Sequence, residues 1–409
     1  MFSSMLLSIT WRVWMSNVAV VVPEYNEPEL ESRLNVFNEL GESLAGTADV
    51  VVVDDASTNG NREVLAQYVK DNNPSFKPFY MEENGKKVRA VQSAINALHQ
   101  EVETVILTDI DTYLQITPEE VTRVRDDLQA SPDTVGGTFK LIPANSNGLL
   151  RRLQTTEYEV SRSIQRFLKK EGKSFVIPGA SAVYKRKPLE DLLQQHSGKH
   201  NGDDKELTIL AFKNGWKVTY WDDIEAKTIV PSQISTLINQ RARYALGTLE
   251  TYEKELPAYV GEAASVIKGK RFGFLTGMQI KSTIAFPLGL YFLAKAVGDN
   301  SFNPESLGQY WAVDTAVTSG FLLYGRKEVE NKMATMLTVP FMPVYKMGVL
   351  APARVLGYLK FAAQGFSELI PKTQIGQDSH EKISGAYRTI TTGASKAVNA
   401  SVSLVRHDK

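Results

Sequence analysis

The sequence predicts an α/β fold in which a mostly parallel sheet is flanked by helices and is followed by a helical C-terminal region. Two observations lead to this prediction. Short apolar runs at residues 18–22, 50–53 and 105–107 alternate with helical periodicity, and each run is followed by acidic or polar residues. Such runs are typical of parallel strands buried on both faces, and ligands bind beyond the carboxyl ends of these strands.

The first strand and the first helix are predicted from residues 18–40. The strand is the β-branched run at 18–22, which ends at Pro23. A helix is predicted over residues 27–40 because four apolar side chains recur on one helical face, namely Leu30, Leu34, Phe37 and Leu40. Pro28 suits the first turn of that helix.

The second strand is predicted at residues 50–53 and the third at residues 105–107. An amphipathic helix lies between them, because Val88, Val91, Ile95 and Leu98 share one face. The carboxylates that follow the two strands are Asp54, Asp55, Asp109 and Asp111. A further polar cluster, residues 24–27, follows the first strand. Three polar clusters at the ends of parallel strands predict a binding site at one edge of the sheet.

Composition restricts the chemistry that is available. The 409 residues include no cysteine, so disulfides, thiolate nucleophiles and cysteine-ligated metals are excluded. A chain without cysteine fits a reducing, cytosolic environment. Lysine plus arginine equals aspartate plus glutamate at 46 each, so no overall field attracts polyanions, and we predict no specific nucleic-acid binding.

Four regions are predicted along the chain. Residues 1–17 form a short amphipathic leader, or else a disordered one, and residues 18–260 form the α/β domain that carries the polar clusters. Residues 261–365 are helical and weakly apolar, because apolar stretches there are interrupted by Lys281, Asp314 and Lys346. Those stretches suit degenerate membrane helices, interfacial helices or buried helices of a soluble domain. Residues 366–409 are a polar tail.

Two motifs in the first half of this domain suit a nucleotide with phosphates. Asp109 and Asp111 offer hard oxygen ligands to Mg²⁺ or Mn²⁺ when substrate phosphates supply the remaining ligands. Asp54 and Asp55 can accept hydrogen bonds from a base or a ribose. The basic segment 84–87 is placed to neutralise a diphosphate, although it also fits an ordinary charged helix start.

Two motifs in the second half suit the reacting groups. Asp203 and Asp204 are adjacent carboxylates that raise each other's pKa, which makes one of them a candidate general base; helix capping is the alternative interpretation. Gln240, Arg243 and Tyr244 share one helical face and place an amide, a guanidinium and a ring together. They form an active-site wall or, alternatively, a solvated helix face.

Taken in order, these motifs resemble those of family 2 glycosyltransferases, which have the GT-A fold. The motifs are Val22-Pro23-Glu24-Tyr25-Asn26-Glu27, Asp54-Asp55-x-Ser57, Asp109-x-Asp111, Asp203-Asp204 and Gln240-x-x-Arg243-Tyr244. The resemblance covers about residues 18–247. It is nearest to the processive branch that includes cellulose, chitin and hyaluronan synthases.

The resemblance implies a role for each matching residue. Tyr25 and Glu27 flank the nucleobase, Asp55 contacts uridine with Asp54 nearby, and Lys87 approaches the diphosphate. Asp109 and Asp111 hold ribose and metal, with Asp111 the principal ligand. Asp204 is the catalytic base. Gln240 and Arg243 bind the diphosphate, and Tyr244 stacks on the acceptor sugar.

The activity implied is inverting, metal-dependent transfer of a hexose from a UDP-sugar to a hydroxyl of a growing polysaccharide or glycolipid. Its place would be the cytoplasmic face of a membrane. The alternatives are a soluble cytoplasmic transferase acting on protein or nucleic acid, and a non-catalytic scaffold. A nucleotidyltransferase would need a glycine-rich loop after the first strand, which residues 23–27 do not resemble.

The sequence departs from the family pattern in four places. Asp203 stands for the usual glutamate, Tyr244 for tryptophan, and Lys86 for a common glycine. The segments after residue 260 are less apolar than the channels of synthases. The first three departures leave the chemistry intact, whereas the last weakens the expectation of polymer secretion.

Overall fold

A computed structural model of the chain describes residues 16–144, 148–199, 201–299, 304–324 and 332–369. Most of the predicted leader therefore lies outside the described residues. So does the predicted tail from residue 370 onward.

The described residues form eight strands and thirteen α-helices. The strands are β1 (Val18–Glu24), β2 (Asp49–Asp54), β3 (Phe76–Tyr80), β4 (Thr104–Leu107), β5 (Thr112–Gln115), β6 (Thr134–Ala144), β7 (Ala182–Lys185) and β8 (Lys217–Ile229). The helices up to the middle of the chain are α1 (Leu30–Ser43), α2 (Asn61–Asn72), α3 (Lys86–Ala97), α4 (Pro118–Gln129), α5 (Leu149–Lys169), α6 (Arg186–Gln195) and α7 (Asp203–Lys213). Those that follow are α8 (Ile234–Ala264), α9 (Arg271–Gly298), α10 (Pro304–Tyr324), α11 (Lys332–Thr338), α12 (Met342–Tyr345) and α13 (Ala351–Leu369).

The chain forms two compact units, each made of discontinuous segments. Of the described residues, unit 1 comprises those within 16–140, 178–198 and 221–226, and unit 2 comprises those within 141–177, 199–220 and 227–369. The predicted catalytic range 18–260 therefore contributes to both units, and its boundaries stay a prediction.

Unit 1 is built on the sheet, whose eight strands have the order β3-β2-β1-β4-β7-β6-β8-β5. Strands β1 to β4 pair in parallel, with Val20 opposite Val50 and Val21 opposite Leu107. The prediction of a mostly parallel sheet is confirmed for β1 to β4, whereas β7 runs antiparallel to both β4 and β6. The sheet is mixed.

The core of unit 1 lies around β1. Every residue from Val18 to Val22 is at most 1% exposed, as the continuous apolar run predicts for a strand covered on both faces. The first helix begins at Leu30 rather than at residue 27, so Pro28 precedes the helix. Its apolar stripe still faces the core, since Leu34 and Phe37 are buried.

Unit 2 is mostly helical and has α8 at its centre. A buried cluster joins Leu237, Ile238 and Ala242 of α8 to Val349 and to Leu356 of α13. Helix α8 is kinked at Glu255, whose backbone is not helical. Pro257 explains the kink, because proline lacks the N–H that continues the helix and its ring clashes with the preceding turn.

The apolar segments predicted after residue 260 form α9, α10 and α11. Several large apolar side chains of α9 are exposed, namely Phe274, Met278, Ile284, Leu288 and Tyr291. Within the described ranges, no helix combines the length and the apolar character needed to span a bilayer.

Candidate active site

The ends of β1 and β2 bring two buried carboxyl groups together. Glu24 lies opposite Asp54 in the parallel ladder, and the two residues are 2% and 0% exposed. Ser57 joins them, because its backbone N–H donates to Asp54 Oδ1 (3.0 Å) and its hydroxyl donates to Glu24 Oε1 (2.8 Å). Burial raises the pKa of Glu24 to about 7, and a hydrogen bond with Asp54 adds to the rise.

Glu24 belongs to the predicted cluster after the first strand, but no separate role was predicted for it. Its position at a strand end was the available signal. Asp54, a predicted donor-binding residue, is wholly buried and holds the following loop through Ser57. These contacts make the pair a support for the loop that carries Asp55.

Asn26 fixes the loop after β1 and leaves Tyr25 exposed. Its backbone is left-handed, with φ at 56°, a conformation that asparagine tolerates better than most residues. Its side-chain oxygen accepts hydrogen bonds from the backbone of Thr58 (2.8 Å) and Asn59 (3.3 Å). The ring of Tyr25 is 48% exposed, so it is available to stack on a flat ligand.

Asp55 is held by the segment that precedes α3. Its carboxylate accepts hydrogen bonds from Gly85 N (2.7 Å) and Asn84 Nδ2 (3.1 Å). The side chain is buried, and burial raises its pKa. The basic segment 84–87 thus has a structural role that the sequence did not reveal. Lys86 there adopts a φ of 60°, which explains why a glycine would suit this position.

Lys87 and Asp109 form an ion pair, with 2.7 Å between Lys87 Nζ and Asp109 Oδ1. Asp111 follows on the same loop, and Thr112 Oγ1 donates to its carboxylate at 3.3 Å. Burial raises the pKa of Asp111 to about 6, and the negative charges of Asp109 and Glu27 contribute. The carboxylates of Glu27, Asp109 and Asp111 therefore outnumber the nearby cations, which are Lys87 and Arg33, the latter paired with Glu27 at 3.6 Å.

This excess of negative charge and the hard oxygen donors fit a divalent cation. Among the described residues, no group of three or more His, Cys, Asp or Glu side chains is arranged to hold a metal ion. These carboxylates therefore suit a cation that also takes phosphate oxygens of a substrate as ligands, as the sequence predicted for Asp109 and Asp111.

In unit 2, Asp203 and Asp204 are the first two residues of α7. The N-cap of this helix is Gly202, and no side chain caps it, so the carboxylates lie in the first turn. Negative charge is favoured there by the helix dipole. The Asp204 carbonyl accepts a hydrogen bond from Thr208 Oγ1 at 2.7 Å.

The start of α7 is fixed against α8. A Cβ atom on Gly247 would overlap the backbone of Asn201 and Gly202, so the two backbones touch. Asn201 Nδ2 also donates to the buried carboxylate of Glu250, at 3.2 and 3.3 Å to its two oxygens. Asp204 is therefore held at a defined place along α8.

The predicted wall on α8 has a buried residue behind it. Arg241 Nη1 donates to Gln240 Oε1 (3.1 Å), and its guanidinium lies 5.3 Å from the centre of the Tyr244 ring. Arg241 Nη2 also pairs with Glu157 Oε2 at 3.1 Å. Arg243 is exposed and Tyr244 is 47% exposed. The sequence missed Arg241, because its partner Glu157 is 84 residues away.

Residues 19–193 match the sequence profile of the family described as Glycosyl transferase family 2. The chain is 29% identical over 245 residues to an N-acetylglucosaminyltransferase of Mesorhizobium japonicum, covering 58% of this chain and 56% of the relative. It is 30% identical over 248 residues to an N-acetylglucosaminyltransferase of Rhizobium sp. (strain N33), covering 58% and 53%. The chain thus spans just over half the length of these relatives.

A solved structure shares the fold. It is the mannosyltransferase PcManGT from Pyrobaculum calidifontis in complex with GDP-Man and Mn²⁺. The TM-score is 0.51 with 18% sequence identity, and the match covers 83% of this chain and 90% of the other.

Proposed function

We propose, from the membership of residues 19–193 in glycosyl transferase family 2, that this chain transfers a sugar from a nucleotide-diphosphate donor to a hydroxyl acceptor. One observation supports this most strongly. The ends of the neighbouring parallel strands β1, β2 and β4 present Tyr25, Asp55 and the Asp109–Asp111 pair at one edge of the sheet. This is where open α/β sheets bind nucleotides.

The donor we propose is UDP-N-acetylglucosamine. The names of the relatives support the sugar, and the resemblance to synthases supports the uridine. The exposed Tyr25 ring would stack on the base, and Asp55 would accept its N–H. Lys87 would bind the diphosphate, because its ammonium already lies against an anionic oxygen of Asp109.

Asp111 and Asp109 would hold Mg²⁺ or Mn²⁺. When bound, such an ion supplies positive charge that stabilises the diphosphate as a leaving group. The residues of the chain prepare this site, since Thr112 orients Asp111 and Lys87 orients Asp109.

The mechanism we propose is a single displacement. Asp204 takes the proton of the acceptor hydroxyl while that oxygen attacks the anomeric carbon of the donor sugar. The bond from this carbon to the diphosphate oxygen breaks, so the nucleoside diphosphate leaves and the anomeric centre inverts. Tyr244 would stack on the acceptor sugar, and Gln240 with Arg243 would bind the diphosphate.

The acceptor we propose is a saccharide or a lipid-linked saccharide at the cytoplasmic face of a membrane. The exposed apolar side chains of α9 support contact with a bilayer surface. A soluble transferase is the alternative, and partition of the protein between membrane and soluble fractions tests it.

Asp204→Asn tests the mechanism. Because asparagine cannot accept the proton, we expect transfer to fall at least about 100-fold while the donor dissociation constant stays within about twofold. Turnover of labelled UDP-N-acetylglucosamine and equilibrium donor binding measure the two quantities.

The matched control is Asp191→Asn, the same change on the exposed face of α6. It should alter neither quantity. Wild-type turnover in Asp204→Asn would show that another group is the base. Absence of donor binding and turnover in the wild-type chain, with Mn²⁺ present, would instead favour the scaffold.

A further inference from the structure

Unit 2 contains a cavity of about 420 Å³ beside Tyr244. Helices α5, α8, α9 and α13 supply its walls. The lining residues that matter for its chemistry are Glu157, Arg241, Thr248, Ser282, Thr283 and Arg354. A cavity of this size holds a sugar with a phosphate group, and two guanidinium groups in its lining supply hydrogen-bond donors.

The charge of the lining is positive. Two guanidinium groups, of Arg241 and Arg354, share the cavity with the single carboxylate of Glu157. That carboxylate is already engaged, because Arg241 Nη2 lies 3.1 Å away and the Tyr345 hydroxyl donates to it at 2.7 Å. Glu157 thus balances one of the two arginines.

Arg241 retains an unused donor. The residue is only 9% exposed, and its Nε has no hydrogen-bond partner among the residues that the structure describes. A buried N–H without an acceptor is unfavourable unless a ligand supplies one.

Arg354 contacts only neutral oxygens within the described part of the chain. Its Nη2 donates to the Ser282 carbonyl (2.9 Å), and its Nη1 donates to the Ser282 hydroxyl (3.3 Å). The guanidinium also stacks on the Phe286 ring at 4.4 Å. The planar fork is thereby held in place, which suits a phosphate because less side-chain entropy is lost on binding.

A third basic side chain lies at the cavity wall. Lys205 Nζ donates to Thr248 Oγ1 on the cavity wall at 3.2 Å. Burial, with a smaller contribution from the charge of Arg354, lowers the pKa of Lys205 to about 7, so this amine is only partly protonated near neutral pH. Lys205 directly follows Asp204, so the cavity adjoins the helix turn that carries the proposed base.

We propose that this cavity binds the phosphate of an acceptor in which a saccharide is joined through phosphate to a long-chain lipid. The inference rests on the proposed function and specifies its acceptor. An uncharged saccharide would give Arg354, the guanidinium group that Glu157 does not balance, no anion to bind. We infer the lipid part of the acceptor from α9. This helix lines the cavity with Ser282 and Thr283 and exposes the apolar side chains of Ile284 and Leu288.

The test measures binding to the full chain without donor, so that it does not depend on turnover. Three probes are compared by calorimetry: octyl N-acetylglucosaminyl phosphate, octyl N-acetylglucosaminide, and N-acetylglucosamine 1-phosphate. We expect the first to bind at least about tenfold more tightly than the second, because charge-assisted hydrogen bonds to phosphate are lost in the second. We expect the third probe, which lacks the octyl group, to bind more weakly than the first.

Arg354→Gln should remove the difference between the first two probes, and Arg354→Lys should restore part of it. A merely structural role would weaken both octyl probes equally. Lys268→Gln, the same change in charge at an exposed site outside the cavity, should leave all three affinities unchanged.

Equal affinity of the wild-type chain for the two octyl probes would overturn the phosphate site. Equal affinity for the phosphate probes with and without the octyl group would overturn the proposal that the acceptor carries a lipid. Either result leaves the proposed transferase standing, because donor turnover and the Asp204→Asn variant test that activity separately.

Discussion

Lys86 adopts a backbone conformation that disfavours side chains. Its φ of 60° places it in the left-handed region, which costs a residue with a Cβ about 1–2 kcal/mol. We expect Lys86→Gly to be more stable than Lys86→Ala by about 1 kcal/mol, because alanine keeps this steric cost and glycine removes it. Chemical denaturation of the two variants measures the difference. An alanine variant as stable as the glycine variant would contradict it.

Glu24 makes the free energy of unfolding depend on pH, and a single substitution can isolate this contribution. Its pKa is raised from 4.5 to about 7, so between these values the folded chain keeps a proton that the unfolded chain has lost. The free energy of unfolding contributed by Glu24 is therefore highest below pH 4.5, falls as the pH rises to about 7, and is constant above that.

Glu24→Gln should remove this dependence, because an amide resembles the protonated carboxyl group and can still donate to Asp54. We expect the stability of the variant relative to wild type to rise by up to about 3 kcal/mol between pH 4.5 and pH 7. Denaturation at several pH values measures it. Glu39→Gln, on the exposed face of α1, is the control. Parallel pH profiles for wild type and Glu24→Gln would contradict the prediction.

The sequence predicted the site residues that directly follow buried strands. Asp55, Asp109 and Asp111 could be placed because a parallel sheet brings the carboxyl ends of its strands to one edge. Glu24 also lies at a strand end, but its raised pKa, like the ion pair of Arg241, could not be predicted in this way. Their properties depend on contacts with residues far along the chain, such as Glu157.

At the scale of elements, the contact between α7 and α8 sets the position of Asp204. Gly247 touches the backbone of Asn201 and Gly202, and a Cβ there would overlap both. Backbone cannot move aside as a flexible side chain can, so Gly247→Ala must displace the start of α7. We expect it to cost about 1–3 kcal/mol of stability and to lower transfer at least about tenfold.

Gly261→Ala is the matched control on the same helix. A Cβ at Gly261 meets no atom within 4 Å, so this change should stabilise the chain slightly because alanine favours helix. Thermal unfolding and donor turnover distinguish the two variants. If Gly247→Ala kept full activity, the contact would not position the base.

The strands divide into those the sequence could predict and those it could not. Strands β1, β2 and β4 are continuous apolar runs buried on both faces, which is a local signal. Strands β6 and β8 contain polar residues such as Lys140 and Glu225, which pair with each other at 2.8 Å across 85 residues. Their pairing depends on distant partners, so these two strands were not predicted from the sequence.

Helix α5 is likewise an element that local sequence could not predict. It buries polar residues, among them Gln154, Thr156, Glu159 and Arg162. Arg162 is 2% exposed and pairs with the wholly buried Glu159 one turn away. A pattern of apolar residues cannot reveal a helix whose buried face is largely polar.

At the scale of the whole molecule, the exposed apolar side chains of α9 predict association with a bilayer surface. Ile284 and Leu288 are 64% and 56% exposed. Replacing both with serine removes two side chains, each worth about 1.5–3 kcal/mol when fully buried. We expect the double variant to bind phospholipid vesicles at least about tenfold more weakly in a flotation assay.

Val64→Ser is the control, because Val64 is an apolar residue of α2 that is 38% exposed but lies outside α9. It should leave vesicle binding unchanged. Equal flotation of the double variant and the wild-type chain would show that α9 is not the contact surface.

The ion pair between Lys87 and Asp109 has a consequence for the order in which ligands bind. A cation alone would bind Asp109 and leave Lys87 without an anion. A nucleotide diphosphate alone would bind Lys87 and leave Asp109 without a cation. A diphosphate that arrives with its cation satisfies both residues at once. Donor and metal should therefore bind cooperatively, each increasing the affinity for the other by the same factor.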